Sequence, residues 1–485
     1  MRIFSKLFSF CVLLCTMASF TSQAAEVVVT TSEPTNITYS SAKCECKVSV
    51  NGNTEIREIG ICWNTTGSPT IADFRLINLA SKTHCVKTLE DLDAKKDYFV
   101  RGYAIANDIE GTIYYGEIKT FTTTASPIGV ITIEPSKIEY TTVKCGVDIQ
   151  YNNTSETITR IGICYGLEEM PVHTINYTNC LLSDYNNLSF KPTIYNLEPG
   201  VTYHVRAFAQ TRTKCYYGPD NTFTLKEAPE NAFLVDNNRF VYFSPGNLQY
   251  QASTNTWRFA KKQYDCIGDG NKNISPTYNG WIDLFGWATS GYDCGSENYA
   301  PFHNAEKYSY GPYEDLVEDF GNCDWGVFNP ISNGGNQAGE WRTPTTNEWE
   351  YVLNNRANAK QKKIYCAING KNGVILLPDN CQWPDGIGFT HDVYYSNTTY
   401  TLEEWAEIEN AGAIFLPTTG YRQGSRLNNP TITTSGYYWT SSYGNDNDNV
   451  KKASYMGFSM GFNAGCSTQL VFIGCSVRLV KDVTL

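Results

Sequence analysis

Histidine is scarce in this chain, five residues in 485, and methionine is equally so. His84, His173, His204, His303 and His391 are scattered, and none belongs to a His-Glu-x-x-His run, which excludes the helix-borne zinc hydrolase pattern. Positive charge is short too: 38 Lys and Arg against 49 Asp and Glu leave a net charge of −11. That balance repels phosphate backbones and anionic lipid, so nucleic acid is not an expected partner. After residue 20 no run is apolar enough to cross a bilayer, and no transmembrane segment is expected. An EF-hand calcium loop is also missing. Asp269, Asn271 and Asn273 in "DGNKN", and Asp446 and Asp448 in "NDNDN", alternate as hard oxygen ligands do, but lack the distal Glu and central Gly. Turn-forming Asn/Asp loops account for both stretches.

The N-terminus reads as a secretory signal peptide, 1–24. Arg2 and Lys6 precede the apolar run Leu7 to Phe20, and Ser22 and Ala24 supply the small residues of a cleavage site. Cys11 and Cys15 invite a lipid anchor, but Phe10 and Leu14 stand where a lipobox requires a small residue. The expected location is therefore outside the cell or on its outer surface. Without Arg2 and Lys6 the net charge becomes −13, and fifteen of the 17 cysteines remain. An odd count argues against an all-disulfide framework. In "AKCECKVSV", Ala42, Cys44, Cys46 and Val48 share one face of a period-2 strand, where cysteine serves as a small core hydrophobe. Cys44, Cys62, Cys145 and Cys164 are expected to be shielded in this way.

Residues 26–225 contain a repeat. "REIGICW" (57–63) returns as "TRIGICY" (159–165), "DYFVRGYAIA" (97–106) as "TYHVRAFAQ" (202–210), and "YYGEIKTFT" (114–122) as "YYGPDNTFT" (216–224). Each copy is about a hundred residues of short alternating strands with no helical period, the pattern of a β-sandwich. Arg101 and Arg206 are expected on the solvent face. The Y-x-V-R-x-Y/F-A run followed by Y-G-x-x-x-x-F-T resembles fibronectin type III-like modules of secreted Bacteroidetes proteins, over 26–124 and 126–225. Ser126-Pro127 and Ala228-Pro229 mark linkers.

Beyond residue 229 the composition changes, and nine of the ten tryptophans lie there. Two helices are predicted. Thr345 and Glu348 form a capping box ahead of Trp349, Val352 and Leu353; Thr401 and Glu404 do the same ahead of Leu402, Trp405 and Ile408, with Gly412 as the stop. Trp281, Phe285 and Trp287 are expected in the core. Two helices among short strands and loops predict an α+β domain over 229–485.

Eight ordered stretches carry a second resemblance: "VYFSPGNLQY", "WRFAKKQYD", "GWIDLFGWATSGY", "EWRTPTTNEWEYVL", "NGVILLPD", "AGAIFLPTTGYR", "GYYWTSSY" and "SVRLV". Together they resemble a large Bacteroidetes family with a C-type-lectin-like domain, related in fold to the formylglycine-generating enzymes. Some members resemble variable proteins diversified by retroelements, in which the stretch between the last two motifs faces the ligand. Enzymatic members need two thiols close together near the C-terminus. Here Cys466 and Cys475 stand nine apart and the ending "GCSVRLVK" departs from the family's, so no catalytic residue and no cofactor is expected. The calcium motifs Glu-Pro-Asn and Trp-Asn-Asp of calcium-dependent lectins are absent as well, and no metal site is expected.

The expected function is non-catalytic: sandwich spacers presenting a surface to a protein or glycan ligand at the cell surface. Segment 443–475 sets aromatics among Gly, Asn and Ser, as binding loops do. Its candidate ligand-binding residues are Tyr443, Asn445, Asp446, Asn447, Asp448, Tyr455, Phe458, Phe462, Asn463 and Phe472. The alternatives are a carbohydrate-binding adhesin, with exposed aromatics stacked on sugar rings, and an oxidase of the formylglycine type. A plain β-hairpin with half-buried aromatics reads equally well from these residues.

Overall fold

The computed structural model describes residues 26–151, 156–173, 179–183, 188–273, 275–293, 299–302, 312, 314–389, 394–395, 398–428, 434–444 and 451–484. The chain is mostly β-sheet, in two compact units: 1–129 with 149–157, and 130–148 with 158–485.

In the first unit, strands Glu26–Thr31, Ala42–Asn51 and His84–Leu89 make a three-stranded sheet. Against it lies a second sheet, in which Ile56–Asn64 and Asp97–Ala106 are central and Phe74–Asn78, Ile113–Tyr115 and Lys119–Thr122 flank them. The alternation of "AKCECKVSV" is the cause: Ala42, Cys44, Cys46 and Val48 are buried and meet Ile59, Ile61 and Val100 across the sandwich. The second unit begins with the same plan, pairing Ile158–Gly166, Thr202–Thr211 and Cys215–Thr224 with the edge strand Cys180–Ser183.

Two features repeat at atomic level. Tyr98 Oη accepts a hydrogen bond from Asp93 N at 2.9 Å, and Tyr203 Oη from Glu198 N at 3.1 Å. These are the tyrosine corners of immunoglobulin-like sandwiches, each backed by a stacked phenylalanine, Phe121 or Phe223. The arginines depart from expectation. Arg101 lies 3.8 Å over the Tyr115 ring and Arg206 4.6 Å over Tyr217, so both guanidinium groups are half-buried lids on a tyrosine, where cation–π attraction holds them.

From Phe233 onward, small sheets surround several hydrophobic cores, two of which flank a central meander. Strands Ser435–Gly444, Lys452–Ser459 and Phe462–Leu470 form this antiparallel meander. One of the two flanking cores gathers Phe285, Trp287, Trp325, Trp439 and Cys475, the other Trp349, Val352, Tyr438, Met456 and Phe458. Trp281 lies outside both, half-buried beneath the Arg258 guanidinium at 3.6 Å. Both capping boxes form. The first opens a helix over Thr346–Glu350 that widens into a π-turn over Tyr351–Asn355, with Trp349, Val352 and Leu353 fully buried. The second opens Leu402–Asn410, which buries Trp405 and Ile408 but leaves Leu402 exposed at its first position. Gly412 ends it at φ +87°, a conformation costly for any other residue. Among the described residues no helix is long and apolar enough to cross a membrane.

Candidate binding surface

The stretch "EWRTPTTNEWEY" forms an ion network that closes the fold. Arg342 Nη1 and Nη2 each donate to Glu348 at 2.8 Å, while Nε and Nη2 donate to Asp482 at 2.9 and 2.6 Å. Glu348 also accepts from Thr345 N as half of the capping box. One arginine therefore ties the helix start to the strand Val480–Asp482, and its hydrogen bonds hold the Asp482 carboxyl below the usual range. Asp324 caps the short helix Trp325–Phe328 through Gly326 N and accepts from Thr343 N; complete burial raises its carboxyl above the usual value. The framework run "YYWTSS" is pinned likewise: Tyr438 Oη donates to Pro417 O, Trp439 Nε1 to Phe285 O, and Trp287 Nε1 to Thr440 O, at 2.7 to 2.8 Å.

The described candidate ligand residues do not converge. Tyr443 and Phe462 stand at opposite ends of the meander, paired in register near Ala453 and Ser459, a separation of about 20 Å along the strand. Tyr455, between them, is half-buried against Tyr437, and Phe472 packs on the first core. Phe458 is a correction: it is 4 % exposed and stacked on Tyr438, so it supports the sheet and offers a ligand nothing. Phe462 (71 % exposed) and Asn463 are open to solvent at the turn. Asn445, Asp446, Asn447 and Asp448 lie outside the described residues.

At the Tyr443 end the surface opens into a cavity of about 440 Å³, lined by Glu314, Asp315, Val317, Glu318, Asp319, Phe320 and Tyr443. Tyr443 N donates to Asp315 Oδ1 at 2.8 Å, and its ring packs on Trp287. Glu318 adopts φ +49°, an uncommon conformation for a residue with a side chain. None of the 314–320 residues figured among the sequence candidates. The signal was present as four carboxylates within 314–319 followed by Phe320, in "EDLVEDF".

The other chemistry-bearing residues are engaged internally. Asn271 bonds Gly268 O and Asp283 Oδ1 through its amide and accepts from Asp283 N and Leu284 N, while Asp269 pairs with Lys272. Asn273 bonds Gly270 O. Cys466 packs against the second core and Cys475 belongs to the first, so the two late thiols sit on opposite faces of the meander. Burial pushes both thiols well above their usual pKa, with the Glu350 carboxylate adding to the effect at Cys466. Among the described residues no group of three or more His, Cys, Asp or Glu is arranged to hold a metal ion.

No family model matches the chain, and no curated protein does. Solved structures similar to parts of it include fibronectin type III-like modules and a sensor domain. The fibronectin(III)-like modules of Clostridium thermocellum CbhA share 10% identity, covering 41% of this chain and 95% of theirs at a TM-score of 0.16. A two-domain fibronectin type III segment of chicken tenascin shares 14%, covering 41% and 97%, at 0.14. The sensor domain of the anti-sigma factor RsgI4 of Pseudobacteroides cellulosolvens shares 16%, covering 21% and 96%, at 0.16. The sandwich reading itself rests on the sheets and tyrosine corners described above.

Proposed function

We propose that the protein is a non-catalytic binding protein of the cell exterior, in which two fibronectin type III-like modules carry a C-type-lectin-like domain over 229–485. The observation that carries the reading is the cavity beside Tyr443, an open concavity lined by two aromatic residues and four carboxylates. The late thiols support the non-catalytic part: burial disfavours the thiolate at both and they face different cores. The ligand is a neutral or cationic group, because four carboxylates repel an anion. A glycan is the second form of the same reading. Sugar hydroxyls donate to carboxylates, and sugar faces stack on rings such as Tyr443 and Phe320.

Screening the chain from residue 25 onward on a glycan array and on a displayed peptide library tests both forms. Selective binding that is lost in Tyr443→Ala and in Glu314→Gln, with the fold retained by circular dichroism, is the expected result. Binding that survives both substitutions overturns the site.

A further inference from the structure

The described cysteines are all thiols, and two couples of them face each other across antiparallel strands: Cys46 opposite Cys85, and Cys164 opposite Cys180. Their backbone settings differ. Val48 N donates to Thr83 O at 2.8 Å, so 48 and 83 form a hydrogen-bonded pair. Cys46 and Cys85, two residues along, occupy the same kind of position, where Cα atoms stand about 5.5 Å apart. In the other couple the phase is reversed. Tyr165 N donates to Asn179 O at 3.0 Å, which makes Cys164 and Cys180, one residue on, a non-hydrogen-bonded pair. There the Cα atoms approach to about 4.5 Å and side chains lie closest, within the span a disulfide accepts. The Cys180 thiol is already 3.0 Å from Cys164 Sγ; Cys46 and Cys85 are hydrogen-bonded as well, so backbone phase and access, not thiol contact, separate the couples. Access differs as well: Cys46, Cys85 and Cys164 are buried, whereas Cys180 lies half-exposed on the edge strand Cys180–Ser183.

We propose that Cys164 and Cys180 form a redox-dependent disulfide that staples this edge strand to its neighbour Ile158–Gly166, while Cys46 and Cys85 remain thiols under the same conditions. The oxidant is a small disulfide of the oxidised-glutathione class. The Cys180 thiolate attacks one glutathione sulfur, giving a mixed disulfide and releasing the first glutathione thiol. The Cys164 thiolate then attacks the Cys180 sulfur and the second glutathione thiol leaves. The protein gives up two electrons and two protons, and the oxidant becomes two thiols. The hydrogen bond from Cys180, with burial second, holds the Cys164 thiol well above its usual range. In the mixed disulfide Cys180 has no thiol proton left to donate, so burial alone holds Cys164 up, and its attack quickens as pH rises because the thiolate is the nucleophile. The bond closes the loop 165–179 and fixes an edge that otherwise exposes unpaired backbone groups.

Equilibration of the chain from residue 25 onward in reduced and oxidised glutathione, followed by alkylation and peptide mass spectrometry, tests the proposal. The expected product links the Cys164 and Cys180 peptides, with Cys46 and Cys85 alkylated only after unfolding. The linked form is expected to melt roughly 10 °C above the reduced form, a difference that dithiothreitol removes. Cys180→Ser is expected to abolish that gain. A folded protein that stays all-thiol at high oxidised glutathione overturns the proposal. So does a crosslink between Cys46 and Cys85. The mapping is made on the unsubstituted chain, so it stands even if a serine variant misfolds.

Discussion

At the scale of single residues, two buried carboxylates make pH a probe of the C-terminal fold. Asp283 is wholly buried, accepts from Ile267 N and Asn271 Nδ2, and has its carboxyl pushed up to about 6 by burial. Between about pH 4 and 6 the folded protein thus holds a proton that the unfolded chain has released. Stability should therefore fall as pH rises through that window, by a few kcal/mol at most. Asp324 contributes with the same sign. Asp283→Asn is expected to remove most of the slope in a series of thermal melts, at the cost of one hydrogen-bond acceptor; an unchanged slope would show that Asp283 is ionised in the fold. Arg342 gives a second probe. Its planar fork reaches two carboxylates at once, which an ammonium does not reproduce, so Arg342→Lys should cost about 2 kcal/mol in denaturant unfolding. A loss below a few tenths would mean that the network is screened by solvent.

At the scale of elements, what was legible in the chain was local. Both capping boxes, the Gly412 stop and the alternating buried cysteines rest on spacings of two to four residues, and they formed as read. The candidate surface was less legible, for a physical reason. The central strand Lys452–Ser459 is covered on both faces, so parity there decides which core a side chain joins, not whether it meets solvent. Tyr455 and Phe458 illustrate it, one half-buried beside Tyr437 and the other closed in on Tyr438. The cavity was missed because Asp315 and Tyr443 are 128 residues apart. The two ends of the meander can be told apart by experiment. Phe462→Ser is expected to leave stability and ligand binding unchanged, whereas Tyr443→Ala abolishes binding; the reverse would move the site to the Phe462 turn. The outer strand Phe462–Leu470 also has an edge to protect. Cys466 N donates to Glu350 Oε1 and Ala464 N donates to Tyr365 Oη, so side chains occupy donors that would otherwise recruit another strand. Glu350→Ala with Tyr365→Phe should give concentration-dependent association in light scattering, and a variant that stays monodisperse would show that the edge needs no cover.

At the scale of the whole molecule, the question is how much the C-terminal region depends on its neighbour within the second unit. Every described strand pairing after residue 233 is made within 233–482, and the three large cores are built from residues of this region. The second sandwich nevertheless touches this region at several points. Tyr140 packs edge-on against Phe240 at 4.9 Å, Thr141 Oγ1 donates to Asn237 O, and Glu198 accepts from Asn358 and pairs with Lys362. Lys362 is also held by Asp379, which anchors Arg356 and Leu234 N, so that contact leads directly into the buried scaffold. These self-contained cores predict that 229–485, expressed alone, unfolds cooperatively. The lost contacts predict that it melts a few degrees below the same region in 126–485, since one aromatic pair and a few hydrogen bonds are worth about 2 to 3 kcal/mol. Calorimetry on the two fragments decides the matter. Equal melting temperatures would make the contact incidental, whereas the absence of any cooperative transition in 229–485 would mean that the boundary at 229 cuts through a folding unit.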